Sequence, residues 1–245
     1  MKFLITNDDG IDAEGLAALV EAASHFGQCV VVAPDRHLSG CAHQATTDRP
    51  IQLTRRSAEM NCIDGTPVDC VRLGLGHVAP DADWVISGVN EGGNLGADVY
   101  HSGTVAAARE AALLGRPTIA FSQYRRRGSP VDWARASRWT VAAMRVLMAM
   151  PQERSLIWNV NLPDKDGQMD PPEIVFCPLD PHPLPVEFRM VEEGKYRYAG
   201  VYHARPKSTD HDVDVCFGGA IAITRLALPT PLWPQDKPFE PDAII

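Results

Sequence analysis

Lys2-Phe3-Leu4-Ile5-Thr6-Asn7-Asp8-Asp9-Gly10 opens the chain with a mostly apolar run that gives way to polar turn formers. Such a run, stopped by Asn, Asp and Gly, reads as a buried strand ending in a tight turn. From Asp12 to Phe26 the residues Leu16, Leu19, Val20 and Ala23 recur at helical spacing, and Gly27 offers a left-handed stop. Cys29-Val30-Val31-Val32-Ala33 reads as a second strand, apolar on both faces as parallel strands are, ending at Pro34-Asp35. Strand, helix and strand make one βαβ unit. In such units ligands bind beyond the carboxyl ends of the strands, so chemistry is expected just after Thr6.

The alternation continues. Trp84-Val85-Ile86-Ser87 and Pro117-Thr118-Ile119-Ala120-Phe121 read as two further buried strands, separated by an Ala-rich helix from about Ser102 to Leu114. A helix is expected from about Val131 to Met150 and a strand near Leu156 to Val160. Together these predict an α/β fold: a Rossmann-like, doubly wound, mostly parallel sheet with right-handed crossovers. Residues 163–215 are rich in Pro, Asp and His, with a hairpin pattern in Glu187–Met190 and Tyr196–Tyr202, and read as an arm leaving the core. A last strand, Ala220–Thr224, precedes a Pro-rich tail not expected to fold alone. One domain over 1–245 is therefore expected, with core about 1–162 and 216–228 and arm about 163–215.

Composition agrees with one large domain: 245 residues, 45% of them hydrophobic, suffice for a sizeable core. A net charge of -8, from 31 acidic against 23 basic residues, supplies no broad field for a polyanion, so extended nucleic acid is a poor partner. The six cysteines show neither a CxxC pair nor zinc-site spacing, and no signal sequence is evident, which points to reduced thiols in the cytoplasm. The longest apolar stretches fall short of the roughly 20 residues that span a bilayer. No membrane partner is expected.

Three segments should meet at the strand ends: Asn7-Asp8-Asp9-Gly10, Ser39-Gly40, and Ser87-Gly88-Val89-Asn90-Glu91-Gly92-Gly93-Asn94. Adjacent carboxylates repel unless one is protonated or a cation lies between them, and their hard oxygens suit Mg²⁺, Mn²⁺ or Ca²⁺. A hydroxyl and an amide oxygen would complete such a site. By itself, Asp8-Asp9-Gly10 fits an ordinary solvated turn better than a metal site. Tyr100-His101-Ser102-Gly103-Thr104-Val105 reads as a loop entering a helix, whose free N–H groups favour an anion such as phosphate. Ser102 or Thr104 as a simple helix cap is the competing reading. His37, His43 and His101 lie near the inferred site as possible general acids, and the run Arg125-Arg126-Arg127 as a possible phosphate attractor at its mouth. Both sets also fit solvated loops.

Thr6-Asn7-Asp8-Asp9-Gly10, Val32-Ala33-Pro34-Asp35-Arg36 with Ser39-Gly40, Gly65–Val71, and Ser87–Gly96 running into Ser102-Gly103-Thr104-Val105 resemble, in order, the motifs of the SurE nucleotidase family. The similarity spans about residues 1–122 and returns at Ser208-Thr209-Asp210 and Gly219–Thr224. The resemblance implies that Asp8, Asp9, Ser39 and Asn90 hold one divalent cation per subunit, Mg²⁺ or Mn²⁺, with Ca²⁺ able to stand in. It implies that Asn94, Ser102, Gly103 and Thr104 bind phosphate, that Asp8 and Asp9 are the catalytic pair, and that the substrates are 5′- and 3′-nucleoside monophosphates and short polyphosphate. A homodimer or homotetramer is implied as well. The chain departs from the family in its 163–215 segment and at Arg225, where a proline is usual.

Other readings fit less well. Gly74-Leu75-Gly76-His77-Val78-Ala79 matches a loose dinucleotide fingerprint, but Pro80-Asp81 follows where the phosphate-binding helix should begin. A receiver-like, non-enzymatic signalling module also carries paired acids after its first strand. It needs an Asp after the third core strand and a Lys after a later one, where this chain has Ser87-Gly88 and Ser122-Gln123. A haloacid-dehalogenase phosphatase needs Asp-x-Asp. The residues leave open whether Asp8 or a water attacks phosphorus.

Overall fold

The computed structural model describes residues 1–126, 128–152, 156–164 and 170–228. The Pro-rich tail and Arg127 of the basic run lie outside them. Among the described residues the first helix, α1 (Glu14–Ser24), follows β1 (Lys2–Thr6) and leads to β2 (Gln28–Pro34). Next come β3 (Leu53–Arg55), β4 (Met60–Ile63), α2 (Pro67–Leu73), β5 (Trp84–Glu91), α3 (Gly103–Leu113), β6 (Thr118–Gln123), α4 (Trp133–Met148) and β7 (Leu156–Leu162). The chain continues through β8 (Ile174–Phe176), β9 (Phe188–Glu192), β10 (Lys195–Tyr198) and α5 (Asp212–Gly218) to β11 (Ile221–Ala227). No helix among the described residues is long and apolar enough to cross a membrane.

Nine strands form one sheet in the order β3-β4-β2-β1-β5-β6-β7-β11-β8. The interior pairs, β1 with β2 and β5, β5 with β6, and β6 with β7, are parallel, while β3–β4 and β7–β11 are antiparallel. The fold is thus the expected doubly wound, mostly parallel α/β sheet. The central strands are sealed on both faces: α1 and α4 pack together on one side, with Leu16, Leu19, Trp139 and Met144 in the core, and α2 and α3 on the other, with Val71, Ala107 and Ala111. From β1 the sheet runs one way to β2 and the other way to β5. That reversal of strand order opens a crevice at the carboxyl ends of β1 and β5.

Several boundaries differ from the sequence-based expectation. Gly27 does not stop α1 in a left-handed conformation; the helix ends at Ser24. Gly27 is needed for proximity instead, because a Cβ there would lie 2.1 Å from the Met1 carbonyl oxygen. Strand β5 runs on to Glu91 and β11 to Ala227, since each gains ladder partners that period-2 patterning does not register. The helix α2 had no periodic signal of its own. It is started by Pro67 and by a reciprocal pair: Asp69 N–H donates to the Thr66 hydroxyl (3.1 Å) and Thr66 N–H to the Asp69 carboxylate (2.9 Å). The segment expected to leave the core is split. Its β8 joins the main sheet beside β11, and only β9 and β10 stand apart, as a separate antiparallel hairpin.

Candidate active site

Asp8 and Asp9 sit immediately past β1, on the turn that Asn7 shapes by donating its Nδ2 to the Gly10 carbonyl at 2.9 Å. Asp8 is 2% exposed, and burial pushes its carboxyl up from the ordinary 3.8 to about 6. The Thr104 hydroxyl, which donates to Asp8 Oδ1, opposes that rise; the neighbouring Asp9 adds to it. Burial raises Asp9 as well, against the Glu91 amide that donates to its Oδ2 at 3.0 Å and the His37 ring 3.1 Å from its Oδ1. Two adjacent carboxyls displaced in this direction, chiefly by burial, form a site in which the charged form is poorly solvated.

Asp8, Ser39, Asn90, Asn94 and Ser102 line one concavity, and Asp9 lines the next one along. Asn90 reaches it through a register shift: between Ser87 and Asn90 strand β5 carries one residue more than β6, which re-aims the strand end. Its Nδ2 donates to the Gly92 carbonyl at 2.7 Å, turning the amide so that its carbonyl oxygen is the atom left for a cation. Among the described residues no three His, Cys, Asp or Glu side chains converge as a metal cluster. The available donors are two carboxylates with neutral oxygens from Ser39 and Asn90, an all-oxygen set of the kind hard dications take.

The phosphate-binding candidates divide. Ser102 is the N-cap of α3, its hydroxyl taking the Val105 N–H at 3.0 Å. Thr104 spends its hydroxyl on Asp8. Accepting a bond leaves the Ser102 hydroxyl its own hydrogen to donate, whereas Thr104 has only backbone to offer an anion, in the first turn of α3, where N–H groups lack intrahelical partners and the dipole is positive. Gly103 lets this turn touch the acids, since a Cβ there would come 2.8 Å from Asp8 Cβ and 2.9 Å from its Oδ2. Asn94 is held from three sides. Its Nδ2 donates to Ser122 Oγ (2.7 Å), its N–H to Asn161 Oδ1 (2.8 Å), and its carbonyl accepts from Asn159 and Asn161 (2.9 and 3.1 Å).

Of the histidines, His101 lines the concavity and His37 stands beside Asp9, whereas His43 faces Glu110 of α3 at 2.9 Å and lines neither concavity. Arg125 is drawn to Glu91 (3.0 Å) rather than standing free at the mouth. Sequence reasoning missed Asp98 and Tyr202, which also line the site. Tyr202 OH donates to Asp98 Oδ2 at 2.5 Å, and the buried Arg205 reaches the same oxygen at 3.0 Å. Asp98 also takes the Leu95 N–H at 3.1 Å, a local bond that only the structure shows. Tyr202 had no signal in the sequence, because it arrives from 104 positions along the chain.

The family model described as "Survival protein SurE" matches residues 3–179, well over half of the chain. A protein of Synechocystis sp. is 47% identical over 226 residues, covering 92% of this chain and 99% of that one; its name assigns 5′-nucleotidase activity provisionally. A protein of Paramagnetospirillum magneticum named 5′-nucleotidase SurE is 36% identical over 242 residues, covering 92% of this chain and 89% of its own. Among solved structures, the crystal structure of the SurE protein from Aquifex aeolicus superposes with a TM-score of 0.81 at 31% identity, over 93% of both chains.

Proposed function

The chain belongs to the SurE family, and from that premise we propose that it hydrolyses nucleoside 5′-monophosphates to nucleoside and phosphate, working with one Mg²⁺ or Mn²⁺ per subunit. The observation that carries the reading is the contact of the buried Asp8 with the first turn of α3 at Gly103, beside Ser39 and Asn90. It would bring the buried Asp8 and an anion site into one crevice, with Asp9 in the concavity next along. Asp8, Asp9, Ser39 and Asn90 would hold the cation, which when bound polarises a phosphoryl oxygen and neutralises charge.

The protein's own groups do the rest. Amide N–H groups of Gly103 and Thr104 donate to phosphate oxygens. The Thr104 hydroxyl holds Asp8 Oδ1 and so fixes the carboxylate's rotation, leaving Oδ2 on the Gly103 side. Ser122, Asn159 and Asn161 lock the Asn94 loop against the strands, which keeps the phosphate cradle formed before substrate arrives. His101 and His37 are the imidazoles placed to return a proton to the departing ester oxygen. The same cradle serves 3′-nucleotides and the end of short polyphosphate, which present the same terminal group. In the same reading the chain works as a homodimer or homotetramer through the β9–β10 hairpin, whose Phe188, Met190, Val191, Tyr196 and Tyr198 are exposed. Stripping the protein with EDTA should abolish AMP hydrolysis, and Mg²⁺ or Mn²⁺ should restore it. Full turnover by the stripped protein in excess EDTA would overturn the metal requirement.

A further inference from the structure

A second cavity, of about 360 Å³, adjoins the phosphate crevice; Ser39 and Glu91 line both, so the two are contiguous. Its volume lies toward the small end of the roughly 300–1,000 Å³ typical of small-molecule sites. Trp133, the first residue of α4, forms one wall. Its indole N–H donates to Glu14 Oε2 at 3.1 Å, and its ring lies across the start of α1, where a Cβ on Gly15 would come within 2.8 Å of it. Glu91, paired with Arg125 at 3.0 Å, forms another wall.

We propose that this cavity holds the nucleoside half of the substrate, with Trp133 as the surface the base packs against and Glu14 as an acceptor for its N–H or O–H groups. The proposal rests on the nucleotidase reading above. Three carboxylates, those of Asp9, Glu14 and Glu91, line the cavity. With Asp9 given to the proposed cation and Glu91 paired with Arg125, which lines the same cavity, Glu14 is the carboxylate left to accept hydrogen bonds from a neutral, donor-rich group. An aromatic wall beside such acceptors fits a planar base carrying a sugar better than an acyl or alkyl leaving group. Glu14 Oε2 takes the indole N–H, and the carboxylate keeps further acceptor capacity for the ligand. The donor on the ligand is either a ribose hydroxyl or an exocyclic amine.

The test compares kcat/KM for AMP with that for p-nitrophenyl phosphate, which has neither sugar nor base, in wild type, W133A, W133F and E14Q. Expected is a fall of the AMP to p-nitrophenyl phosphate ratio by about tenfold or more in W133A, carried by KM, as a lost stacking surface gives. W133F should recover most of it. In E14Q, an exposed position, the ratio should fall about fivefold by loss of a charge-assisted hydrogen bond. Equal E14Q losses on AMP and IMP, with none on 2′-deoxy-AMP, assign the donor to the sugar; the reverse pattern assigns it to the base amine. Adenosine should inhibit p-nitrophenyl phosphate hydrolysis competitively, more weakly in W133A and E14Q. Ratios within twofold of wild type in both variants, with adenosine inhibition unchanged, overturn the cavity assignment and leave the nucleotidase reading standing. A wild type that cleaves p-nitrophenyl phosphate but no nucleotide overturns the nucleotidase reading itself.

Discussion

The acid turn after β1 and the β9–β10 hairpin break the ordinary burial rule in opposite directions. Asp8 is a carboxylate at 2% exposure, while Met190 and Tyr196, paired across the hairpin, stand 60% and 61% exposed. One region buries charge and the other leaves apolar surface in water, and each arrangement costs free energy in an isolated chain. A cation, as proposed, would offset the first, and a second copy of the hairpin would offset the second. On the proposed function, such departures from burial preference mark where a partner would bind, and the sign of the departure sets the chemistry that partner would need.

The comparison breaks first at Asp8. Asp8→Asn keeps the shape and removes the charge, so AMP hydrolysis should fall by about three orders of magnitude or more, the scale seen when a principal electrostatic group is lost. Mg²⁺ or Mn²⁺ should raise the melting temperature of wild type much more than that of the variant, because a ligand stabilises only the state that binds it. Equal metal-induced shifts in calorimetry would remove Asp8 from the cation site.

At the hairpin, Met190→Ser with Tyr196→Ser should weaken self-association by about 3–4 kcal/mol, roughly 2 for each apolar side chain that an interface would cover. That is a few hundredfold in dissociation constant, measurable by sedimentation or light scattering. A wild type that is already monomeric at micromolar concentration would remove the hairpin half of the comparison.

The acid turn makes a third prediction through pH. In the metal-free protein Asp8 titrates near 6 when folded and near 3.8 when unfolded, so between those values the folded state binds the extra proton. Its contribution is therefore fully favourable below about pH 3.8 and is lost as pH rises through 6, a swing of about 3 kcal/mol. Asp9 shifts in the same direction. Metal-free Asp8→Asn should lack most of this decline and match or exceed wild type in stability above pH 7. Urea denaturation across pH 4–8 reads both, and parallel curves for the two proteins would show that Asp8 carries no burden.

The smallest effect is expected at Thr104→Val, which removes the hydroxyl that serves Asp8 without changing the volume of the residue. Stability should drop by about 2 kcal/mol at pH 8, where Asp8 is ionised, and by less at pH 4.5. An equal loss at both pH values would mean that the hydroxyl serves packing and not the carboxylate.

Much of this was legible along the chain. Leu4-Ile5 and Val30-Val31-Val32 announce strands covered on both faces, and Asp8-Asp9 just beyond the first of them marks the acid turn. The role of Ser102 and Thr104 was legible only as a choice between cap and phosphate ligand. The structure makes Ser102 the cap while leaving its O–H free to donate, and gives the Thr104 hydroxyl a carboxylate partner, a distinction that depends on Asp8 lying 96 positions away in sequence. The place of β8 was hidden for a related reason: three residues beside several prolines carry no periodicity, and their strand character comes from the exposed edge of β11.

The sequence by itself determined the alternation of strands and helices, the site of the acid turn and the order of the motifs, because local patterning and turn chemistry act over a few residues. Tertiary structure alone decided that β1 and β5 lie side by side at the reversal of strand order, so that Asp8 and Asn90 share a crevice. It alone brought Tyr202 and Asp98 together at the rim and set Trp133 beside Glu14. Those neighbours are fixed by sheet register and helix packing, which depend on the whole core at once and leave no mark at any single position.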